Sequence, residues 1–387
     1  MFSFLLPLIY LAFISLGLPD SLLGSAWPVM YPELGAPVSA AGLISLIICC
    51  GTIFSSLQSD RLTRRFGAGG ITAASVALTA AALLGFSISH TFGALCLWAI
   101  PYGLGAGSVD AALNNYVALH YESRHMSWLH CMWGVGTTVG PMVMGVALAH
   151  GAGWNTGYRV IGVFQVLLAI VLAVSLPLWK KRTSDDDGSP APQALTLGQV
   201  IRIPGAKEIM LSFFCYCALE STAGLWASSY FTLVRGVSAE AAANLAGLFY
   251  FGITAGRGAS GFLTLRFDDT QMIRLGQSVL AVGVVALLLP GPTILSMIGF
   301  ILVGIGCAPI YPSIIHGTPA RFGAERSQAM IGVQMASAYV GSMLMPPLYG
   351  LAAQHLSPAL LPFYLLALLA LMVWMHERLA RQRVNTL

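Results

Sequence analysis

Runs of twenty and more apolar residues, separated by short clusters of charge, recur from one end of this 387-residue chain to the other. A helix rising about 1.5 Å per residue crosses a hydrocarbon layer of about 30 Å in some twenty residues. Only 9% of the residues are charged and 57% are hydrophobic, whereas roughly a quarter of an ordinary soluble domain is charged. A soluble enzyme, a nucleic-acid binder and a disordered scaffold are therefore excluded. The net charge of +4 is no footprint for nucleic acid, because the placement of the charges matters more than their sum. What remains is an all-α membrane protein, since helices satisfy their own backbone groups in lipid.

Twelve candidate spans follow, at about 4–30, 38–58, 68–88, 92–118, 126–150, 158–179, 207–234, 240–265, 271–290, 293–316, 325–353 and 357–377. Pro19, Pro101, Pro141, Pro309, Pro346 and Pro347 punctuate them, which a helix bundle tolerates. The opening MFSFLLPLIYLAF has neither the basic region nor the cleavage site of a signal peptide and reads as a retained first span. All seven cysteines lie in apolar runs and read as small packing residues, so no metal site is expected. No Ser/His/Asp set or phosphate loop stands outside the spans, so neither enzymatic activity nor a cofactor is expected.

Lysine and arginine in short loops orient such a chain. With a cytoplasmic N-terminus, sixteen basic residues fall on the cytoplasmic side, among them Arg61, Arg64, Arg65, Arg124, Arg202, Arg274 and Arg378. Only Arg159 and Arg235 fall outside, and Arg257 lies within a span. Both termini are thus expected in the cytoplasm. The one long polar stretch, WKKRTSDDDGSPAPQ near the middle, suits a flexible linker. It divides the chain into a six-span bundle over 1–179, a cytoplasmic linker over 180–206 and a second six-span bundle over 207–387.

The halves repeat one another. Gly51 and the run LTRRF at 62–66 match Gly252 and LTLRF at 263–267. GLG at 103–105 matches GIG at 304–306, and VGPMVM at 139–144 matches VGSMLM at 340–345. Every match has the same offset of 201, which implies two pseudo-symmetric six-helix bundles with a substrate path at their interface. Parallel six-helix halves joined by a cytoplasmic loop resemble the major facilitator superfamily. The run Ser56-x-x-x-Asp60-Arg61-x-x-Arg64-Arg65 is similar to that family's G-x-x-x-D-R-x-G-R-R loop, with Ser56 and Thr63 in place of the two glycines. The resemblance implies a gate role, in which Asp60 caps a helix or pairs with arginine; the alternative is a solvated loop that only obeys the charge rule.

Twelve of the fifteen acids sit in loops or at span ends; Asp20, Asp110 and Glu220 do not. A carboxylate near the bilayer centre costs about 2.5–3.5 kcal/mol or more, so such acids usually face a wet cavity and mark an ion or substrate path. Asp20 and Glu220 occupy nearly equivalent places in the two repeats, and Tyr311 stands at the place equivalent to Asp110. Helical spacing adds neighbours: Gly103, Gly107, Asp110 and Asn114 on span 4, with Asn115 next to them; His130, Trp133 and Thr137 on span 5; Glu220, Gly224 and Ser228 on span 7, with Trp226 close in sequence; Gln334, Ser337 and Gly341 on span 11. Amides, acids and aromatic rings on converging faces suit a neutral polyhydroxylated solute. Desolvation favours the neutral form of a carboxyl group, so an intramembrane acid can carry a proton from one side to the other. Asp20 and Asp110 are the leading coupling candidates and Glu220 the third. Sodium coordination, or a protonated acid that merely bridges helices, is the alternative.

Leu18-Pro19-Asp20-Ser21-Leu22-Leu23 and Asp110-Ala-Ala-Leu-Asn114 resemble the fucose:proton symporter branch, which carries an aspartate and a glutamate at the matching places. The resemblance implies the coupling role for Asp20 and, with Asp for Glu, for Asp110. His130 stands where that branch has a glutamine, which argues against an identical sugar preference. Glu220 with Trp226 is similar to a pattern in related glucose/fucose carriers, some of them sodium-coupled. Arg257 is expected near the cytoplasmic side, pairing with a gate acid such as Asp60, or else in the cavity as partner to a substrate or carboxylate. Gly136-x-x-x-Gly140-Pro141 with Gly145 resembles a motif of the family's antiporters, although close packing and a kink are the preferred explanation. The expected function is proton-coupled, or alternatively sodium-coupled, symport of a monosaccharide or similar small polar solute. The runner-up is a proton-driven exporter of a drug or metabolite, and a third reading is a non-transporting sensor. A monomer in a bacterial inner membrane is expected, with the lipid bilayer and a small solute as its partners.

Overall fold

The computed structural model describes residues 4–37, 40–179, 195–237 and 239–384. Among them are fifteen α-helices and no strand. The first half holds α1 (Leu5–Asp20), α2 (Leu22–Glu33), α3 (Ala41–Ser87), α4 (Phe92–His120), α5 (Ser123–Ala149) and α6 (Gly153–Val174). After the short α7 (Leu197–Ile201) come α8 (Ala206–Arg235), α9 (Ala239–Leu263), α10 (Asp269–Leu288), α11 (Thr293–Cys307) and α12 (Ile310–His316). The last three are α13 (Thr318–Phe322), α14 (Ala324–His355) and α15 (Leu361–Val384). Nine stretches among the described residues are long and apolar enough to cross a membrane. One of them, α3, has 47 residues, enough for two crossings. The more polar α9 and α14, with 25 and 32 residues, bring the crossings to twelve.

Two differences from the sequence reading bear on the site. Span 1 is broken: α1 stops at Asp20 and α2 begins at Leu22, with Ser21 between them. Spans 2 and 3 are not separated by a loop. The helix runs on through Asp60, Arg61, Arg64 and Arg65 and turns only at Gly67, whose φ of 73° and ψ of 163° a side chain would strain. The charged motif is therefore helical, because nothing in it breaks a helix before that glycine. The polar residues 180–194, including Lys180, Lys181 and Arg182 of the expected linker, lie outside the described residues.

The chain forms two compact units. One comprises residues 1–116 with 129–197, the other 117–128 with 198–387. In the first, α3 packs along α6, and the core around Leu22, Trp27, Met30, Phe86, Tyr102 and Tyr158 joins α2, α3, α4 and α6. In the second, α8 packs against α14 and α15, while α9 and α10 both pack on α11. The stretch 117–128 is tied into that second unit: Ser123 donates to Asp269 at 2.7 Å, His316 lies 2.7 Å from the same carboxylate, and its other nitrogen lies 3.2 Å from the Tyr121 carbonyl.

The 201-residue offset reappears in how helices cross. Gly103 of α4 packs on the Ile48 carbonyl of α3, and Gly304 of α11 packs on the Phe249 carbonyl of α9. Gly51 faces Gly103 and Leu104, while Gly252 faces Gly304 and Ile305. Gly105 abuts Thr79, and Gly306 abuts Leu280. Each pair of partners is 201 residues from its counterpart, so each unit builds its crossings at equivalent positions.

Candidate functional site

Pro19 has no amide hydrogen to give Ser15, one turn earlier in α1, so the Ser15 carbonyl loses its intrahelical partner. Gln165 of α6 supplies the bond instead: its Nε2 donates to the Ser15 carbonyl at 2.6 Å, and its Oε1 accepts from Thr79 Oγ1 at 2.8 Å. Pro141 leaves the Thr137 carbonyl of α5 in the same position, and the Ser21 hydroxyl, at the break between α1 and α2, donates to it at 2.9 Å. Gly136 and Gly140 rest directly on the Ile14 and Leu18 carbonyls of α1. Gly136 and Gly140 are thus close-packing positions, and Gly145 has open space around it.

Asp20 ends α1 beside this crossing. Its carboxylate accepts from the Tyr102 hydroxyl of α4 at 3.0 Å and from the Trp133 indole nitrogen of α5 at 3.0 Å. On α4, Asn114 donates its amide to Asp110 Oδ1 at 2.8 Å, and its oxygen lies 3.0 Å from His130 Nε2 of α5. His130 is buried and meets Phe13 of α1 edge-on at 5.4 Å. One unit therefore gathers Asp20, Tyr102 and Trp133, and along the same pair of helices Asp110, Asn114 and His130. Asn115 is buried next to Asn114. None of the three intramembrane acids is sealed: Asp20 is exposed, while Asp110 and Glu220 are half-buried. An acid in a membrane that keeps open surface calls for water on that side.

In the second unit the charged residue beside Glu220 is Arg257. Its Nη2 lies 3.5 Å from Glu220 Oε1, with the arginine side chain only 4% exposed. Tyr216 stands beside the guanidinium. Tyr311 packs edge-on against Phe213 at 4.7 Å and Tyr216 at 6.0 Å, and its hydroxyl reaches Met335 Sδ at 3.0 Å. Arg257 thus has a carboxylate partner within its own unit. Asp60, for its part, holds Arg64 one helical turn on, at 3.0 and 3.1 Å, and is buried. Asp60 therefore pairs with arginine, and its Oδ2 also accepts from the Leu195 backbone N–H at 3.3 Å, two residues before α7. Arg61 and Arg65 share that helical turn region, and Arg65 lies over the Phe66 ring.

Two more candidates have their polar atoms engaged in packing. The Trp226 indole nitrogen donates to the Pro346 carbonyl at 3.0 Å, and its ring meets Tyr349. Gln334 is fully buried and bonds Thr318 at 3.2 Å. Tyr102, Gln165 and Ser21 carry the geometry around Asp20 and were not singled out by sequence reasoning. The proline four residues after a carbonyl was the available signal for Gln165 and Ser21; the partners themselves come from distant helices. Among the described residues, no group of three or more His, Cys, Asp and Glu is placed to hold a metal.

Twelve apolar crossings in two repeated units, with ionisable groups between the helices of each, define a polytopic membrane transporter. The chain belongs to the Major Facilitator Superfamily, whose sequence model matches residues 9–315 and again 209–384. Bypass of stop codon protein 6 of Saccharomyces cerevisiae is 23% identical over 67% of this chain and 56% of its own length, so the chain spans little more than half of that relative. The 4-hydroxybenzoate transporter PcaK of Pseudomonas putida is 24% identical over 66% of this chain and 65% of its own. In structure, the chain resembles FucP in the outward conformation, with a TM-score of 0.79, 15% identity and coverage of 96% and 98%. A structure of the Escherichia coli fucose:proton symporter FucP gives 0.74, 17%, 97% and 98%. At such identities the likeness establishes the fold.

Proposed function

We propose that the protein is a proton-coupled symporter of a monosaccharide or a similar small polar solute, working by alternating access. The observation that carries this reading is the Asp20 carboxylate, exposed yet held by one phenol and one indole donor, with the Asp110–Asn114–His130 chain on the same two helices. A carboxyl so placed can exchange a proton with water, and the amide, imidazole and indole beside it suit hydroxyl groups and the apolar face of a sugar ring. Likeness of fold to a fucose:proton symporter supports the same reading. It includes two six-helix bundles over 1–179 and 207–387, a cytoplasmic linker over 180–206, cytoplasmic termini, a bacterial inner membrane and a monomer. Sodium in place of the proton, and export in place of uptake, are the alternatives that the test below separates.

A second reading has its own observation. Arg257 beside Tyr216, with Phe213 and Tyr311 packed on Tyr216, brings a cation and aromatic rings together in one unit. That chemistry suits an aromatic carboxylate, and a 4-hydroxybenzoate transporter is among the relatives.

The test is accumulation of labelled solutes in proteoliposomes under an imposed proton gradient, and then under a sodium gradient. A monosaccharide panel and an aromatic-acid panel are run in parallel. The proposal expects inward accumulation of a sugar, driven by protons. It also expects Asp20→Asn and Asp110→Asn to lose gradient-driven accumulation while keeping solute counterflow. Normal accumulation by both variants overturns the coupling assignment; accumulation of the aromatic acid alone gives the second reading its place.

A further inference from the structure

Gln165 is buried to 1% exposure in α6, more than a hundred residues from Asp20 in sequence, yet it completes the backbone of the turn that carries that acid. Without it, the Ser15 carbonyl would be buried with no donor, because Pro19 brings none. A buried carbonyl left unpaired carries the full penalty of its lost hydration. The helix would relieve that cost by retwisting the turn between Ser15 and Pro19, and Asp20 follows directly. The Asp20 carboxylate must reach Tyr102 on α4 and Trp133 on α5 at once, at 3.0 Å each, so a small rotation of this turn separates it from both. The Ser15 carbonyl, which only accepts, sets which end of the Gln165 amide faces it, and Thr79 Oγ1 holds the far end.

We infer that Gln165 is a positioning residue for Asp20: by bonding the carbonyl that Pro19 leaves unpaired, it sets the helix break at which the acid meets Trp133 and Tyr102. The inference rests on the reading of Asp20 as the coupling acid, and its test does not use transport. In purified full-length protein, N,N′-dicyclohexylcarbodiimide modifies accessible membrane carboxyl groups, and peptide mass spectrometry reads the rate at Asp20 and at Asp110 separately. Gln165→Met keeps the volume and removes both hydrogen bonds; Asp20 is expected to react severalfold faster, with Asp110 unchanged. Pro19→Ala restores an amide hydrogen for Ser15, so in that background Gln165→Met is expected to have no further effect on Asp20.

Three results overturn the inference: an unchanged Asp20 rate in Gln165→Met, an equal acceleration at Asp110, or the same acceleration with and without Pro19. If Gln165→Met does not accumulate, Thr79→Val is the second variant. It leaves the donor but frees its anchor, and the same selective, smaller acceleration at Asp20 is required. Should Asp20→Asn transport normally while the labelling behaves as described, the coupling reading fails and the positioning role stands.

Discussion

Two donors converge on Asp20 from different helices, and each can be deleted alone. Hydrogen bonds to a charged group contribute about 1.5–3 kcal/mol, and about 1.4 kcal/mol is a factor of ten. Tyr102→Phe removes only the hydroxyl and keeps the buried ring, so solute uptake is expected to fall roughly tenfold, or more, with folding intact. Uptake at the wild-type rate would mean that the phenol has no part in holding the acid. The Glu220–Arg257 pair calls for the opposite design. Arg257 is almost fully buried, and removing one member of a buried pair costs about 3–5 kcal/mol because a lone charge remains, whereas replacing both costs far less. Thermal unfolding in detergent should therefore rank Glu220→Gln below the double variant Glu220→Gln/Arg257→Gln. The reverse order would show that the pair, at 3.5 Å, contributes little.

At the scale of the helix, glycine decides how near two neighbours come. A Cβ at Gly103 or at its counterpart Gly304 would run into the Ile48 or Phe249 carbonyl, while one at Gly145 meets nothing within 4 Å. Alanine at either crossing is expected to lower the melting temperature by similar amounts. Gly145→Ala should leave it unchanged or raise it, since alanine is favoured over glycine in a helix interior by about 1 kcal/mol. A loss of activity at Gly145→Ala without loss of stability would instead favour a role of the glycine run in transport. These elements also mark how far the sequence could be read. Hydropathy found twelve crossings, because lipid imposes one length on every helix, and the internal matches found the register that the glycine crossings share. The three acids stood out because charge is rare in such a setting. The fusion of spans 2 and 3 as far as Gly67 was hidden, since a charged run can be a loop or a helix beyond the membrane. Tyr102, Gln165 and the choice of Glu220 by Arg257 were hidden for a different reason: helical spacing orders residues within one helix and says nothing of which neighbour each face meets.

For the whole molecule the charges predict the direction in which it sits in the membrane. The basic residues of the second unit that were assigned to the cytoplasm stand among acids: Arg274 binds Glu377 at 2.7 and 2.9 Å, and Arg378 binds Glu208 at 3.2 Å. Exposed pairs of this kind contribute about 0–1 kcal/mol. Counted by net charge, each pair would cancel. The rule that orients membrane helices counts lysine and arginine and gives acids little weight, so these pairs do not dilute the excess of sixteen basic residues over two. Alkaline phosphatase, active only outside the cytoplasm, is expected to be inactive when fused after Leu387 or within residues 183–190, and active when inserted after Gly151. The same positions fused to a fluorescent protein that matures only in the cytoplasm should give the inverse pattern. Replacing Arg274 and Arg378 with glutamine should weaken the orientation, whereas replacing Glu377 and Glu208 with glutamine should leave it unchanged. Phosphatase activity at both Leu387 and the linker would place the termini outside, and would reverse the direction of the uptake proposed for Asp20 and Asp110.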